Sequence, residues 1–531
     1  MSSLAGTGAL ARLALRRDRV VLAVFVLVLV VMVAASASAT VKLYPTEASR
    51  ANAAAAIDSS TATLAMYGPI YDTTSVGALS TFKMGIMGAV AVAILALFVV
   101  VRHTRSEEET GRLELLGATV VGRQAPLTAA LLVAGGASVV AGAGSALGLI
   151  AVGMPPAGAL VMGLGFACLG LVIAAVAGIT AQLVKSARAA AGLAGVALGV
   201  AYLLRAIGDA SAGDGLGWLS WLSPVGWWQQ TRPFAGDRWW VLALALAAAA
   251  ALAALAYGLA ARRDFAAGLL PDRPGPAVAA ASLRSPFALA WRLQRGAFYA
   301  WAAVFAVIGV VFGGLASNVG SFVTSPQARD FITKLGGEQG LRDAFLATEL
   351  GMAGVMAAVY GVQATLRLRT EESALRTEPL LATAVGRTKW AWSHLVVALA
   401  GSASLLVIVG VTAGLVGARQ AGDGGLFGRV LVAALVQIPA AWLVIGIVVA
   451  VFGLVPRWVV LGWAALAGFV LLGEFGALFN LSRAVMDVSP FAHVPRLPGG
   501  AFAVAPLLWL TVIAAGLVGV GLAGFRRRDV G

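Results

Sequence analysis

The sequence predicts an all-α polytopic membrane protein with about twelve transmembrane helices, arranged as two tandem six-helix repeats. The composition, the length of the uncharged runs and an internal repeat support this prediction. Of the 531 residues, 60% are hydrophobic and 12% are charged, and the mean hydropathy is +0.90. Soluble globular proteins carry about 25% charged residues, so this chain has too few of them to cover a surface that faces water.

Uncharged runs of the chain are long enough to cross a bilayer. Residues 20–39 form a run of 20 and residues 84–101 a run of 18, and about 20 apolar residues span a membrane as a helix. Apolar spans bounded by charged or turn residues predict the helices. They lie near 20–39, 82–101, 126–152, 157–183, 189–207 and 239–260, and then near 297–318, 346–366, 390–417, 429–455, 458–476 and 503–524.

A polar stretch of nineteen residues occurs twice in the chain, 264 positions apart. Residues 105–123 read RSEEETGRLELLGATVVGR, and residues 369–387 read RTEESALRTEPLLATAVGR. Eleven of the nineteen aligned positions are identical, and strongly apolar sequence surrounds both copies. Two such similar polar stretches in an apolar chain predict two equivalent docking surfaces for a soluble partner.

Shorter matches extend the repeat to the whole chain. The tripeptide Arg-Arg-Asp follows the sixth and twelfth predicted helices at 262–264 and 527–529, an offset of 265. Ser-Pro precedes the same two helices, at an offset of 266. The agreement of these offsets predicts a first six-helix domain at 1–264, a cytoplasmic linker at 265–286 and a second six-helix domain at 287–531.

The distribution of charge predicts the orientation in the cell membrane. With both termini in the cytoplasm, the segments on that side hold 25 of the 38 Lys and Arg residues and 11 of the 24 acidic residues. The cytoplasmic side therefore holds 25 − 11 = 14 net positive charges, which is the whole net charge of the chain, as the positive-inside rule expects. The basic pI of about 10.8 is thus explained by topology and does not require nucleic acid as a partner.

No motif for catalysis is found in the sequence. The phosphate-binding pattern G-x-x-x-x-G-K-[ST] and the zinc motif H-E-x-x-H are absent, and the three histidines, His103, His394 and His493, are far apart. We therefore expect a membrane subunit that is not an enzyme and has no cofactor or metal of its own. A nucleotide-driven motor would have to come from another polypeptide.

The first copy of the repeat is typical of a short cytoplasmic helix. Residues 107–109 are glutamates in its first turn, where the helix dipole favours anions, and Gly122 marks its end. Leu113, Leu116 and Val120 form one apolar stripe suited to a groove on a soluble protein. The alternative is a charged connection between helices that binds no partner.

The stretch EEETGRLELL followed by GATVVGR resembles the cytoplasmic segment after the second helix of ABC-2-type transporter permeases. Residues 66–85, MYGPIYDTTSVGALSTFKMG, are similar to fused twelve-helix permeases of actinobacterial antibiotic and multidrug exporters. The resemblance implies a type V exporter-like fold and coupling helices that dock on two copies of a separate ABC ATPase, which would hold the ATP and magnesium. The coupling residues that it implies are Glu107, Glu108, Gly111, Arg112, Leu113, Glu114, Leu116, Glu371, Glu372, Arg376, Glu378 and Leu380.

The second copy departs from this pattern. Leu375 replaces Gly111, and Pro379 replaces Leu115. A proline at this point is expected to interrupt or shorten the helix. We therefore predict unequal contacts with the two ATPase subunits, with the first copy dominant.

Three ionisable residues in or beside membrane spans are candidates for a gate or a substrate pathway: Lys83, Glu349 and Glu474. Lys83 and Glu349 fall at similar depths in opposite halves and would pair near the outer mouth. The alternative is that each is an interfacial charge whose side chain reaches water.

Together these features predict the permease subunit of an ATP-driven exporter of lipophilic drugs or antibiotics, in contact with membrane lipids and with no nucleic acid. An ion-coupled secondary transporter of the major-facilitator type has the same six-plus-six organisation. A non-transporting membrane anchor for a soluble protein is the third class. A proton-coupled transporter needs acidic residues near the middle of the membrane, and the sequence has few.

Overall fold

The structure is a computed structural model that describes residues 2–58, 61–117, 120–212, 215–264, 267–271, 277–316, 337–475 and 482–529. Across these ranges the chain is helical and contains no strand, which confirms the all-α prediction. Within them, eleven helices are long and apolar enough to cross a membrane, and one further apolar helix is shorter. The chain divides into two compact units, Met1–Pro274 and Gly275–Gly531.

The first unit contains six long helices. They are α1 (Thr7–Leu43), α2 (Val76–His103), α3 (Ala125–Ala151), α4 (Pro156–Leu183), α5 (Ala187–Ala210) and α6 (Trp239–Arg262). The N-termini of α2 and α5 are capped by serines: Ser75 Oγ accepts a hydrogen bond from the Ala78 amide, and Ser186 Oγ from the Ala189 amide. Helices α3 to α5 confirm the predicted division of residues 126–207 into three spans.

Helix α4 is the most buried helix of the first unit and packs against α2, α3 and α6. Glycines allow its closest approach: a Cβ atom on Gly142 of α3 or on Gly163 of α4 would overlap the carbonyl oxygen of the other glycine. Phe166 of α4 packs against Trp228, with 5.9 Å between the ring centroids. Close packing of small residues is a common way for membrane helices to associate.

Short helices lie at the end of the first unit away from the α2–α3 connection. They are Glu47–Asp58, Thr61–Tyr67, Gly217–Leu222 and Pro224–Gln230. Helix α5 holds this region through the carbonyl of Met66, which accepts hydrogen bonds from Tyr202 Oη at 2.5 Å and from the Arg205 guanidinium at 3.1 Å.

The second unit repeats the order of long helices. They are α7 (Pro286–Ala316), α8 (Gly337–Ser373), α9 (Arg387–Ala421), α10 (Gly424–Leu435 and Ile438–Leu454), α11 (Leu461–Phe475) and α12 (Val504–Arg527). Pro439 stands in the first turn of the second part of α10, where a missing amide is tolerated. Helix α7 begins at Pro286, eleven residues before the predicted start at 297, so its basic N-terminal residues continue directly into the apolar span.

Candidate functional site

The first copy of the polar repeat forms an elbow between α2 and α3. The elbow, residues 104–117, consists of two short helices, Arg105–Glu109 and Arg112–Gly117. Gly111 joins them with a left-handed φ of 72°, and its amide donates a hydrogen bond to the Glu108 carbonyl at 3.0 Å. The prediction of one continuous helix through 105–123 is therefore wrong, because a left-handed residue ends the first helical turn.

The second copy forms an elbow of the same shape at residues 369–381. Helix α8 runs through Ser373, Leu375 has a left-handed φ of 55°, and a short helix follows at Thr377–Leu381. The Leu375 amide donates to the Glu372 carbonyl at 2.9 Å, as the aligned Gly111 amide does in the first elbow. The non-glycine residue keeps a conformation that costs a leucine about 1–2 kcal/mol.

Pro379 does not interrupt the second elbow. It is the third residue of the helix Thr377–Leu381, which has five residues against six in Arg112–Gly117. The first four amides of a helix have no partner within the helix, so a proline there removes no helical hydrogen bond. The prediction that Pro379 would interrupt or shorten the helix is therefore confirmed for the shortening, by one residue, and wrong for the interruption.

Glu108 is held inside the first unit by two arginines. Arg263, just after the C-terminus of α6, forms a bidentate ion pair with it at 2.6 and 2.8 Å, and Arg105 binds it at 2.7 Å. Arg105 is 1% exposed and also donates to the carbonyls of Ala181 and Ala267. We call Arg105, Glu108 and Arg263 the first clasp.

Glu372 has the corresponding partners in the second unit, an arginine beyond the sixth helix and an arginine three residues before the glutamate. Arg528, just after the C-terminus of α12, binds both carboxylate oxygens at 2.5 and 3.0 Å, and Arg369 binds at 3.2 Å. We call Arg369, Glu372 and Arg528 the second clasp. Glu108 and Glu372, and likewise Arg105 and Arg369, are aligned by the repeat. Two of the predicted coupling glutamates are therefore internal ion-pair residues.

The chain that follows each elbow contacts the same helix end at a second point. Arg123, shortly before α3, donates to the Arg263 carbonyl at 2.6 Å. Its aligned residue, Arg387, donates to the Arg528 carbonyl at 2.7 Å. The end of the sixth helix of each unit is thus bound from both sides of the elbow.

The preceding glutamates have different partners in the two units. Glu107 binds Arg17 of α1 at 2.6 Å, whereas Glu371 binds Arg367 of its own helix at 2.6 Å. The aligned arginines of the elbows, Arg112 and Arg376, lie 3.5 Å from these glutamates. The first elbow is therefore also attached to the N-terminal helix of its unit.

Among the elbow side chains that the structure describes, the identical residues that face solvent are one arginine and one glutamate per elbow. The side chains of Arg112 and Arg376 are 56% and 62% exposed, and Glu114 and Glu378 are exposed as well. Leu113 is buried, so the predicted apolar stripe is not an open face. Leu380 is half-buried, Val120 is exposed, and the side chain of Leu116 lies outside the described residues.

The N-terminal segment lies beside the first elbow. The Ala5 carbonyl accepts a hydrogen bond from the Gly122 amide at 2.9 Å, and the Ser3 carbonyl accepts one from the Gln124 amide at 3.0 Å. A Cβ atom on Gly122 would overlap the Ser3 carbonyl, which is a reason for glycine at this position. These contacts fix the chain that leads from the first elbow into α3.

A second buried polar contact lies near each elbow. In the first unit Asp18 of α1 lies 2.6 Å from His103 Nε2 and 3.1 Å from the Arg102 guanidinium. In the second unit Gln294 of α7 and His394 of α9 share a hydrogen bond of 3.1 Å. Asp18 and Gln294 each lie one turn after a buried alanine, Ala14 and Ala290, but their histidine partners lie on different helices, the second of the first unit and the third of the second unit.

The gate candidates lie within long helices. Lys83 is in α2, with its Nζ atom 5.7 Å from the centre of the Tyr67 ring, a cation–π distance. Glu349 is a half-buried residue of α8. Glu474 is in α11, and its side chain lies outside the described residues. Lys83 and Glu349 belong to different units, and their pairing stays a prediction.

Sequence reasoning missed Arg263 and Arg528 as members of the site. Their signal was present, because the Arg-Arg-Asp tripeptides recur at nearly the offset of the polar repeat. The sequence does not show that each arginine lies beside a glutamate of the elbow. Glu108 and Arg263 are 155 positions apart, and Glu372 and Arg528 are 156 apart.

Two comparisons with known proteins agree with each other. Residues 283–526 match the family model of the multidrug efflux system permease Rv1217c, C-terminal domain. The chain is also 47% identical over 532 residues to the multidrug efflux system permease protein Rv1217c of Mycobacterium tuberculosis (strain ATCC 25618 / H37Rv). That alignment covers 100% of this chain and 96% of the relative, so the similarity extends over both units.

Proposed function

Because the chain belongs to the family of multidrug efflux system permeases, we propose that it is the transmembrane subunit of an ATP-driven ABC exporter of lipophilic drugs or antibiotics. Its motor is a separate ATPase subunit that binds as two copies. ATP and magnesium are bound by that subunit, and this chain supplies the pathway and the docking surfaces.

The observation that best supports the proposal is the pair of matching elbows. Each presents an exposed arginine and an exposed glutamate at aligned positions, Arg112 with Glu114 and Arg376 with Glu378. Exposed charges on a short rigid segment suit recognition of a soluble partner, because complementary charge steers docking and fixes its register. Two similar sites on one chain suit two copies of the same partner.

The charge distribution supports a cytoplasmic position for both elbows and both termini. All of the net charge of +14 falls on the side of the membrane that holds the elbows when the predicted topology is applied. The basic residues on that side would also attract the anionic headgroups of the inner leaflet.

In the proposed cycle, ATP binding closes the two ATPase subunits on each other and displaces both elbows. Each elbow moves the helices to which it is attached, and the two units exchange inward and outward access to the pathway. Lys83, Glu349 and Glu474 are the candidates for contact with the substrate or for a gate. A largely apolar set of membrane helices suits a lipophilic substrate.

Purification of the native complex from membranes tests this function. We expect an ATPase subunit to purify with the chain at two copies per permease, and drug to stimulate its hydrolysis of ATP. The double variant Glu114→Lys with Glu378→Lys should lose the subunit. Asp264→Lys, which reverses an exposed charge outside the elbows, should retain it.

The competing function gives the opposite result. An ion-coupled transporter would purify alone and would move drug across a vesicle membrane in response to a proton gradient. If Asp264→Lys loses the ATPase as the double variant does, binding of the ATPase depends on the net charge of this side of the protein and not on the elbows.

A further inference from the structure

The two clasps join residues that the chain itself does not bring together. An elbow is covalently continuous with the second and third long helices of its unit, so its motion reaches those helices directly. The sixth long helix is distant in sequence, and α6 and α12 reach the elbows through Arg263 and Arg528 just beyond their C-termini. The structure therefore gives each elbow a third attachment.

The attachment is strong enough to carry a displacement. Both arginines bind a carboxylate through two hydrogen bonds, the geometry that makes charge-assisted pairs both strong and directional. Glu108 and Arg263 keep only 9% and 11% of their side-chain surface exposed, and Glu372 keeps 1%. Arg105 and Arg369 still bind these glutamates when Arg263 or Arg528 is replaced, so such a substitution breaks the link to the helix end without leaving the carboxylate unpaired.

The attachment also fixes orientation, because each helix end is held at two points. The side chain of Arg263 binds the glutamate at the start of the elbow, and its carbonyl accepts from Arg123 beyond the elbow. Arg528 is held in the same way by Glu372 and Arg387. Because there are two separated contacts, a movement of the elbow can both shift and rotate the helix end. With a single contact the helix end could turn about that contact.

The same arrangement occurs in both units, with aligned residues in the same roles. This recurrence accounts for the identity of Arg105 with Arg369, Glu108 with Glu372 and Arg123 with Arg387 within the repeat. Contact with a partner does not account for these identities, because the side chains are engaged within the unit.

We propose that Arg263 and Arg528 are positioning residues that transmit the movement of each elbow to the sixth long helix of its own unit. This inference rests on the proposed function for the source of the movement. The sixth helices pack on the fourth helices of their units, α6 on α4 and α12 on α10, so the movement would reach the interior of each bundle.

The test compares Arg263→Gln with Arg262→Gln, a neighbouring exposed arginine at the same helix end. Drug efflux is measured in cells at equal membrane levels of the protein, and ATP hydrolysis is measured in the purified complex. Arg263→Gln should reduce efflux and drug-stimulated hydrolysis about tenfold, the size of a typical coupling between two sites. It should keep the bound ATPase and its basal hydrolysis, and Arg262→Gln should match the native protein.

Two further variants distinguish transmission from folding. Arg263→Lys keeps the charge but not the bidentate geometry, so we expect a smaller loss with a normal membrane level. The double variant Glu108→Gln with Arg263→Gln should lose no more efflux than either single variant, because both disrupt one contact. Arg528→Gln against Arg527→Gln repeats the comparison in the second unit.

Efflux from Arg263→Gln equal to that from Arg262→Gln overturns the proposal. So does loss of basal hydrolysis together with stimulated hydrolysis, which would assign the clasp to docking or folding. If the native chain purifies without an ATPase, the proposed function fails. The role of the clasp is then tested by efflux alone: if the double variant loses the sum of the two single losses, Glu108 and Arg263 do not act through one contact.

Discussion

The two elbows share a left-handed residue and a clasp, and they differ in the contacts around them. The first has glycine at its left-handed position and pairs with Arg17 of α1, and the chain after it contacts the N-terminal segment. The second has Leu375 at that position and pairs with Arg367 of its own helix. The buried contact nearby involves a carboxylate, Asp18, in the first unit and a neutral amide in the second.

The comparison separates two reasons for identity within the repeat. Glu108 and Arg123 are repeated because they bind Arg263, just beyond the sixth helix of their unit, and Arg105 is repeated because it holds Glu108. Arg112 and Glu114 are repeated although they are exposed, which is where a partner would act. The residues that contact α1 and the N-terminal segment in the first copy, Glu107 and Gly122, are identical in the second copy, so the partners of these residues differ while the residues do not.

The largest expected difference between the units concerns Asp18. Asp18→Asn removes the charge from a buried ion pair and should lower the free energy of unfolding by about 3 kcal/mol. Gln294→Leu removes one neutral hydrogen bond from the first helix of the second unit and should cost about 1–2 kcal/mol. Unfolding by SDS in mixed micelles measures both, and equal losses would show that the charge of Asp18 adds nothing.

The two exposed glutamates give the next comparison. Glu114→Lys should reduce drug efflux about tenfold and Glu378→Lys about threefold, because the first elbow is held by more contacts and presents its charge in a more fixed geometry. Efflux is measured at equal membrane levels of the two variants. Equal reductions would remove the asymmetry and make the two elbows equivalent docking sites.

Exchange of the left-handed residues gives the smallest effect. A Cβ on Gly111 would meet no atom within 4 Å, so Gly111→Leu should cost only backbone strain, about 1 kcal/mol of unfolding free energy. Leu375→Gly should relieve that strain and raise the free energy of unfolding by about 0.5 kcal/mol. The gain is small because glycine also has more conformational freedom in the unfolded chain, which opposes folding. A stabilising Gly111→Leu would contradict the shared conformation.

The fold class, the helices and the position of the repeat could be predicted from the sequence. Long uncharged runs predict membrane-spanning helices, and the charged and turn residues beside them indicate approximately where each helix begins and ends. The starts of α1 and α7 were set too late, because basic residues before an apolar run can be helical as well as interfacial.

The interior of the site could be predicted only in part. Residues 107–109 and Glu114 carry a pattern of charge, but nothing local tells a buried glutamate from an exposed one. The partner of Glu108 lies 155 residues away, at Arg263, and a pairing over that distance follows from the packing of α6 and not from spacing along the chain. The left-handed Leu375 was also missed, since leucine is a poor sign of a positive φ.

Reconstitution into sealed vesicles tests the central claim most directly. The chain and its purified ATPase subunit are placed in vesicles with no ion gradient, and drug transport is followed after ATP is added on the side of the elbows. We expect transport that requires both ATP and the ATPase subunit and that is reduced about tenfold in Arg263→Gln. Transport by the chain alone, driven by a proton gradient and indifferent to ATP, would contradict this expectation.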